Sequence, residues 1–220
     1  MPAIILVTSL AAPTPQPPCR TLAEAAAAPL RGERSPWTIH LDRNDVFLAT
    51  IGRRSGQPER VATCSDDGLT VVLEGYLARD ARASAVAQDD AEHVAGLYRQ
   101  DPAAIEHLPG SFVLVVADWH AGAVTLWTDR AATRPSFLAD VNGVLVVAPE
   151  LKCFRGLPGI DCTLVPGSLA AMAMNGALID EHTYYRDVRL IGPARRVTVR
   201  RDGLRIERYW QRSFGGDPQG

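Results

Sequence analysis

An α+β fold with largely antiparallel sheets is predicted by three features of the chain. About ten short apolar runs are separated by turn residues. Only two or three stretches carry apolar side chains at helical spacing. The 18 Gly and 16 Pro supply many turns, yet stay well short of a low-complexity composition.

Taken in order, residues 3–9 (A-I-I-L-V-T-S) read as a buried strand that ends at a Pro-rich break over 12–18. Residues 21–28 (T-L-A-E-A-A-A-A) form a helix, with Thr21 and Glu24 spaced as a capping box. Strands follow at 45–51 and 69–73, with turns at 56–58 and 65–68. Over 89–100 the residues Ala91, Val94, Ala95, Leu97 and Tyr98 recur at helical spacing behind leading acids, and 102–107 continues as a second short helix. Two hairpin-like pairs come next: 111–118 with 123–127, and 137–139 with 143–148 around an Asn142-Gly143 turn. Further strands are expected at 168–173 and 177–179, then at 195–200 and 204–209. Arg195, Arg196, Arg200 and Arg201 flank Val197-Thr198-Val199 as in an exposed, charge-protected edge strand. Trp119, Trp127 and Tyr209 are expected in the core, and an exposed one among them is a candidate anchor for a partner. Residues 1–210 thus read as one domain, and 211–220 has linker composition.

Composition narrows the function. With 220 residues and 46% hydrophobic content the chain can fill one sizeable core or two small ones. A net charge of −2 argues against a nucleic-acid binder. The longest apolar runs, 112–117 and 144–148, fall far below the roughly 20 residues a membrane span needs. The N-terminus lacks the basic region of a signal peptide, and Cys19, Cys64, Cys153 and Cys162 form no CxxC pair. A cytoplasmic protein with reduced thiols and no metal site is the expectation. His107 and His120, at a helix end and a hairpin turn, read as surface histidines, and His40, His93 and His182 show no ligand spacing with any Cys or carboxylate.

From residue 68 onward the motifs resemble the glutaminase domain of the asparagine synthetase family. Leu108-Pro109-Gly110-Ser111-Phe112 through Asp118-Trp119 is similar to the family's L-x-G-x-F-A-F-A-L-W-D strand. Leu126-Trp127-Thr128-Asp129-Arg130 with Arg134-Pro135-Ser136-Phe137 resembles L-x-R-D-R-x-G-x-K-P-L-Y. Leu145 to Lys152 resembles L-x-F-A-S-E-x-K, Val165-Pro166-Gly167 a P-P-G turn, and Arg208-Tyr209-Trp210 the closing R-Y-W. The resemblance implies a class II glutamine amidotransferase domain of the N-terminal-nucleophile hydrolase fold. That fold is a four-layer αββα sandwich, with the runs 112–117 and 144–148 between covering layers.

The same resemblance implies that the chemistry is incomplete. Family members attack glutamine with an N-terminal cysteine whose own α-amine acts as base. Here Pro2 follows Met1. They cradle the tetrahedral oxyanion with an Asn side chain and a Gly backbone N–H. Here Glu74-Gly75 stands at that place, so Gly75 keeps a donor while the Glu74 carboxylate would repel developing negative charge. Asp90 aligns with the Asp that receives the substrate ammonium, although an acid placed at a helix N-terminus explains it equally well. Arg53 and Arg54 are candidates for the carboxylate clamp, or are plain surface arginines.

The expected function is therefore a silent glutaminase-like half of an ATP-dependent amide-forming ligase, as in beta-lactam synthetase or the lasso-peptide macrolactam cyclases. No cofactor is expected on this chain; ATP and Mg would belong to a synthetase-type partner domain or protein. Phe214-Gly215-Gly216-Asp217-Pro218 lacks the serines of that half's pyrophosphate loop. Two rivals remain: an amidohydrolase matured by cleavage to expose Cys19, and a stand-alone small-molecule or peptide binder using the glutamine pocket.

Overall fold

A computed structural model describes residues 3–9, 17–30, 37–52, 61–78, 87–178 and 180–213. In chain order its strands are β1 (Ala3–Thr8), β2 (Trp37–Asp42), β3 (Val46–Ile51), β4 (Val61–Asp66), β5 (Leu69–Leu77) and β6 (Gly110–Asp118). They continue as β7 (Ala123–Thr128), β8 (Phe137–Val141), β9 (Val144–Ala148), β10 (Arg189–Leu190), β11 (Arg195–Arg200) and β12 (Gly203–Arg208). The helices are α1 (Cys19–Ala27), α2 (Ala87–Gln100) and α3 (Pro166–Asn175), with short 3₁₀ turns at Ala28–Leu30, Pro102–His107 and Leu151–Phe154.

All twelve strands pair antiparallel, in two sheets of six ordered β10-β8-β9-β1-β3-β2 and β12-β11-β7-β6-β5-β4. The sheets stack, and alternation along each strand sorts the apolar side chains by layer. In β1, Ile4 and Leu6 face the second sheet, where they meet Val72, Val113 and Val115, while Ile5 and Val7 face outward. Those outward residues are covered by Leu22, Ala23 and Ala26 of α1. On the far side α2 lays Ala91, Val94 and Ala95 over Val71, Leu73, Phe112 and Leu114. Central strands are thus buried on both faces, which is why they read as continuous apolar runs instead of alternating ones. This is the αββα sandwich that the motif resemblance implied. Burying side chains such as Phe47, Leu48 and Phe112 contributes roughly 1.5–3 kcal/mol each.

Several local expectations are corrected. Strands β2, β4 and β10 join those read from the sequence; β2, with its exposed Ile39, is an edge strand and lacks a clean period. The segment 168–173 is not a strand but the body of α3, and residues 177 and 178 are irregular. Pro166 starts that helix, where its missing N–H costs nothing, and Gly176 ends it in the left-handed conformation at φ 68°. Val165-Pro166-Gly167 therefore opens a helix and not a turn. The Thr21–Glu24 capping box does not form, because α1 begins two residues earlier behind Pro18 and Glu24 takes the Arg20 guanidinium at 3.1 Å. Nor is β11 an edge: β12 covers it, Val197 and Val199 are buried, and Arg195 and Arg196 are tied to Glu181 and Glu106. Trp127 is buried, whereas Trp119 and Tyr209 are half-buried, Trp119 with the Arg43 guanidinium 4.2 Å from its ring centre. Residues 211–213 have no regular structure, and the rest of the linker-like tail lies outside the described residues.

Candidate functional site

The end of β5 is where a carboxylate and a left-handed glycine sit side by side in an otherwise apolar strand. Glu74 is buried, and its side chain crosses from the second sheet to the first. Its Oε2 accepts the backbone N–H of Ile4 at 3.3 Å, and its Oε1 accepts from Arg134 Nη1 at 2.8 Å. Both partners of this ion pair are nearly closed off from water, with side chains 7% and 12% exposed. Burial pushes the Glu74 carboxyl up from its ordinary value of 4.5, opposed by the Arg134 charge and hydrogen bond and by the Ile4 N–H. Desolvation prevails, but an arginine this close keeps the carboxylate supplied with a counter-ion.

Arg134 reaches Glu74 because Asp129 shapes the loop that carries it. Asp129 follows β7 and is buried. Its carboxylate accepts from the backbone N–H groups of Phe112 (3.1 Å), Ala131 (2.8 Å) and Thr133 (3.1 Å), and from the Thr133 hydroxyl at 2.5 Å. Those bonds curl residues 129–133 back onto β6, and Arg134 then donates from Nε to Ser111 O at 3.4 Å. Asp129 is an organiser of the loop and Arg134 the charge it delivers.

Gly75 is fixed by packing. Its φ is 124°, and a Cβ there would lie 2.0 Å from Ser111 O, 2.8 Å from Arg134 Nε and 2.9 Å from Phe112 Cα. Only a residue without a side chain lets β6 and the arginine approach this closely. Asp90, in the first turn of α2, accepts the Leu77 N–H through Oδ2 at 3.1 Å. It therefore ties the helix to the same strand that carries Glu74 and Gly75. Pro2, Arg53 and Arg54 lie outside the described residues. The structure thus brings Glu74, Gly75 and Asp90 onto one strand end, and adds Arg134 and Asp129, to which sequence reading assigned no role. A lone Glu inside L-T-V-V-L-E-G-Y-L signals that a buried cation is needed, but nothing in the pattern selects it from so many arginines.

Cys19 is remote from this cluster. Glu74 meets β1 at Ile4, whereas the Cys19 thiol donates to Ser9 Oγ at 3.7 Å past the other end of that strand. Five residues of extended chain separate those points by about 17 Å. Cys19 is fully buried inside α1, and burial pushes its thiol up to about 11. Cys153 is also buried and raised to about 11. Iodoacetamide at pH 8, read by peptide mass spectrometry, should therefore modify the half-buried Cys64 and Cys162 well before Cys19 or Cys153. Fast alkylation of Cys19 in the native chain would contradict this burial. Among the described residues no group of three or more His, Cys, Asp or Glu side chains gathers as a metal ion requires, and no helix is long and apolar enough to cross a membrane.

Two antiparallel sheets between helices, with the site where the end of β5 meets the start of β1, define an amidotransferase-type sandwich. Two solved structures share it: glutamine phosphoribosylpyrophosphate amidotransferase from B. subtilis, at TM-score 0.55 and 14% identity, and an allosteric regulatory enzyme of purine biosynthesis, at TM-score 0.55 and 15% identity. Each superposes on 96% of this chain, which covers 50% of either. Residues 75–210 match the family described as glutamine amidotransferase domain, and the chain belongs to that family. It is also 24% identical over 174 residues to asparagine synthetase [glutamine-hydrolyzing] 3 of Bacillus subtilis (strain 168). That alignment takes in 74% of the chain but only 28% of the synthetase.

Proposed function

We propose that this chain is a catalytically silent glutaminase-like domain serving as the structural half of an asparagine synthetase-like, ATP-dependent amide-forming ligase. One observation carries the reading. The place where an oxyanion would be cradled is filled by the chain's own buried Glu74–Arg134 ion pair. A carboxylate with no proton to donate cannot stabilise a tetrahedral oxyanion, and its Arg134 partner is already committed to it. A ligase that forms its amide from an amine already present on the substrate has no use for ammonia, so a filled oxyanion site costs it nothing. Closure of a lactam or macrolactam ring in natural-product biosynthesis is a reaction of this kind. ATP and Mg would then be bound by the synthetase half, and this domain would support that half or help enclose its substrate.

The test is direct. The purified, unprocessed chain is incubated with glutamine, and glutamate is followed by NMR. No glutamate above the buffer rate is expected; steady glutamate formation would overturn the proposal. Restoring the amide with Glu74→Asn should leave that rate unchanged, because no nucleophile is added.

A further inference from the structure

Sheets end in strands whose outer backbone N–H and C=O groups lack a ladder, and native folds blunt such edges by shortness, bulges or cover. Three of the four sheet edges described here follow that rule. β10 has two residues, and β2 shifts register between Ile39 and Leu41. At β4 the Arg99 guanidinium of α2 takes the Asp66 carbonyl oxygen. β12 does not follow it. Its six residues contain no proline, and it pairs with β11 without a register shift. Among the described residues no strand lies on its other side. Its two faces differ. Leu204 and Ile206 pair with Val199 and Val197, which are buried between the sheets, yet are themselves 42% and 38% exposed. Arg205 and Glu207 alternate with them on the opposite face, with opposite charges.

That charge order makes β12 complementary to itself. When a strand pairs antiparallel with its own copy, aligned residues share a face, so the two-fold axis passes through one residue position. An axis at 205 sets Arg205 against Arg205, and one at 207 sets Glu207 against Glu207; like charges directly opposite destabilise a sheet. An axis at 204 engages only three residues of each strand. An axis at Ile206 engages five. It sets Arg205 against the other copy's Glu207 twice over and Ile206 against Ile206, and it lays the Arg208 stem on the other copy's Leu204. Glu207 already accepts the Arg196 guanidinium at 2.8 Å, and a carboxylate has lone pairs for a second donor. Arg205 is held by Asp202 only at 3.6 Å, with both side chains exposed. We propose that β12 pairs antiparallel with β12 of a second copy about a two-fold axis at Ile206. Two six-stranded sheets then join into one, and Leu204 and Ile206 extend the apolar layer across the junction. One strand per copy gives less contact than the about 800 Å² per partner of stable complexes, so the dimer forms and dissociates with concentration.

Sedimentation velocity of the full chain, at concentrations up to about 0.5 mM, should show a monomer converting to a dimer. Arg205→Glu and Glu207→Arg each turn both cross-strand ion pairs into like-charge pairs, and each is expected to weaken self-association at least tenfold. Mixed in equal amounts, the two variants face each other with every pair opposite in sign, so the mixture should dimerise at least as well as the parent. Thermal melts check that each variant is folded. Amide hydrogen exchange on the unmutated chain asks the same question without substitutions: amides of 203–208 should slow as concentration rises. A chain that stays monomeric throughout overturns the proposal. So does a dimer indifferent to both charge reversals with no added protection over 203–208, since it forms elsewhere. Two monomeric variants whose mixture also stays monomeric would overturn the register about Ile206.

Discussion

Gly75→Ala should cost more than about 4 kcal/mol and leave little folded protein, the largest effect expected of a methyl added at any of the described glycines. Two penalties combine. At φ 124° an L side chain is strained whatever its surroundings. The new Cβ would also meet the backbone oxygen of Ser111 at 2.0 Å, and backbone in the middle of a sheet cannot step aside as a flexible side chain would. Gly143→Ala is the control. Its φ is 83°, but nothing lies within 4 Å of the added methyl, so the loss there should be limited to about 1–2 kcal/mol of backbone strain. Chemical denaturation of both variants reads the difference. Equal losses would show that close approach by β6 and Arg134 is not what holds position 75 to glycine.

Arg134→Ala should destabilise the fold by about 3–5 kcal/mol, because it leaves the Glu74 carboxylate buried with no counter-ion. For a chain of this length that lowers Tm by roughly 10 °C. The loss should depend on pH, with a definite sign. The folded-state pKa of Glu74 is raised above its ordinary value of 4.5. Only between pH 4.5 and that raised value does the native state hold a proton that the unfolded chain has already released; above it the group is the carboxylate of the ion pair. The group's contribution to stability is fully present below about 4.5 and is lost as pH rises through the folded pKa. Removing the arginine takes away the charge that opposes the shift, so the carboxyl moves further up. The variant should accordingly be weakest at neutral pH and recover part of its deficit toward pH 5. Combining Arg134→Met with Glu74→Gln should restore more than half of the loss and flatten the pH profile. An Arg134→Ala variant as stable as the parent at pH 7 would mean that the pair contributes nothing net, and that the filled pocket is incidental to the fold.

These two results bear on function through one piece of architecture. In a working glutaminase of this type the strand end carrying Gly75 must leave room for substrate and present donors to an oxyanion. Here the same strand end is closed by an ion pair that spans both sheets and is held from behind by the Asp129 loop. Under the function proposed above, this ion pair serves as a structural clamp between the two sheets.

By itself the sequence determined the class of fold and most of the strands. Continuous runs such as Phe112–Ala117 and Val144–Ala148 announce strands covered on both faces, since only a residue buried on either side of a sheet can be apolar at every position. Segments with weak or misleading local signals were decided only by tertiary structure. In α3 the alanines and methionines suit a helix, but an apolar run this short has no polar face to show its period, and Pro166 and Gly176 settle it through backbone geometry. The partner of Glu74 lies 60 residues away in sequence, and Cys19 is held off the site by the length of β1. Neither is readable along the chain, because local pattern records which face a side chain takes, whereas the meeting of distant charges depends on how two sheets are stacked.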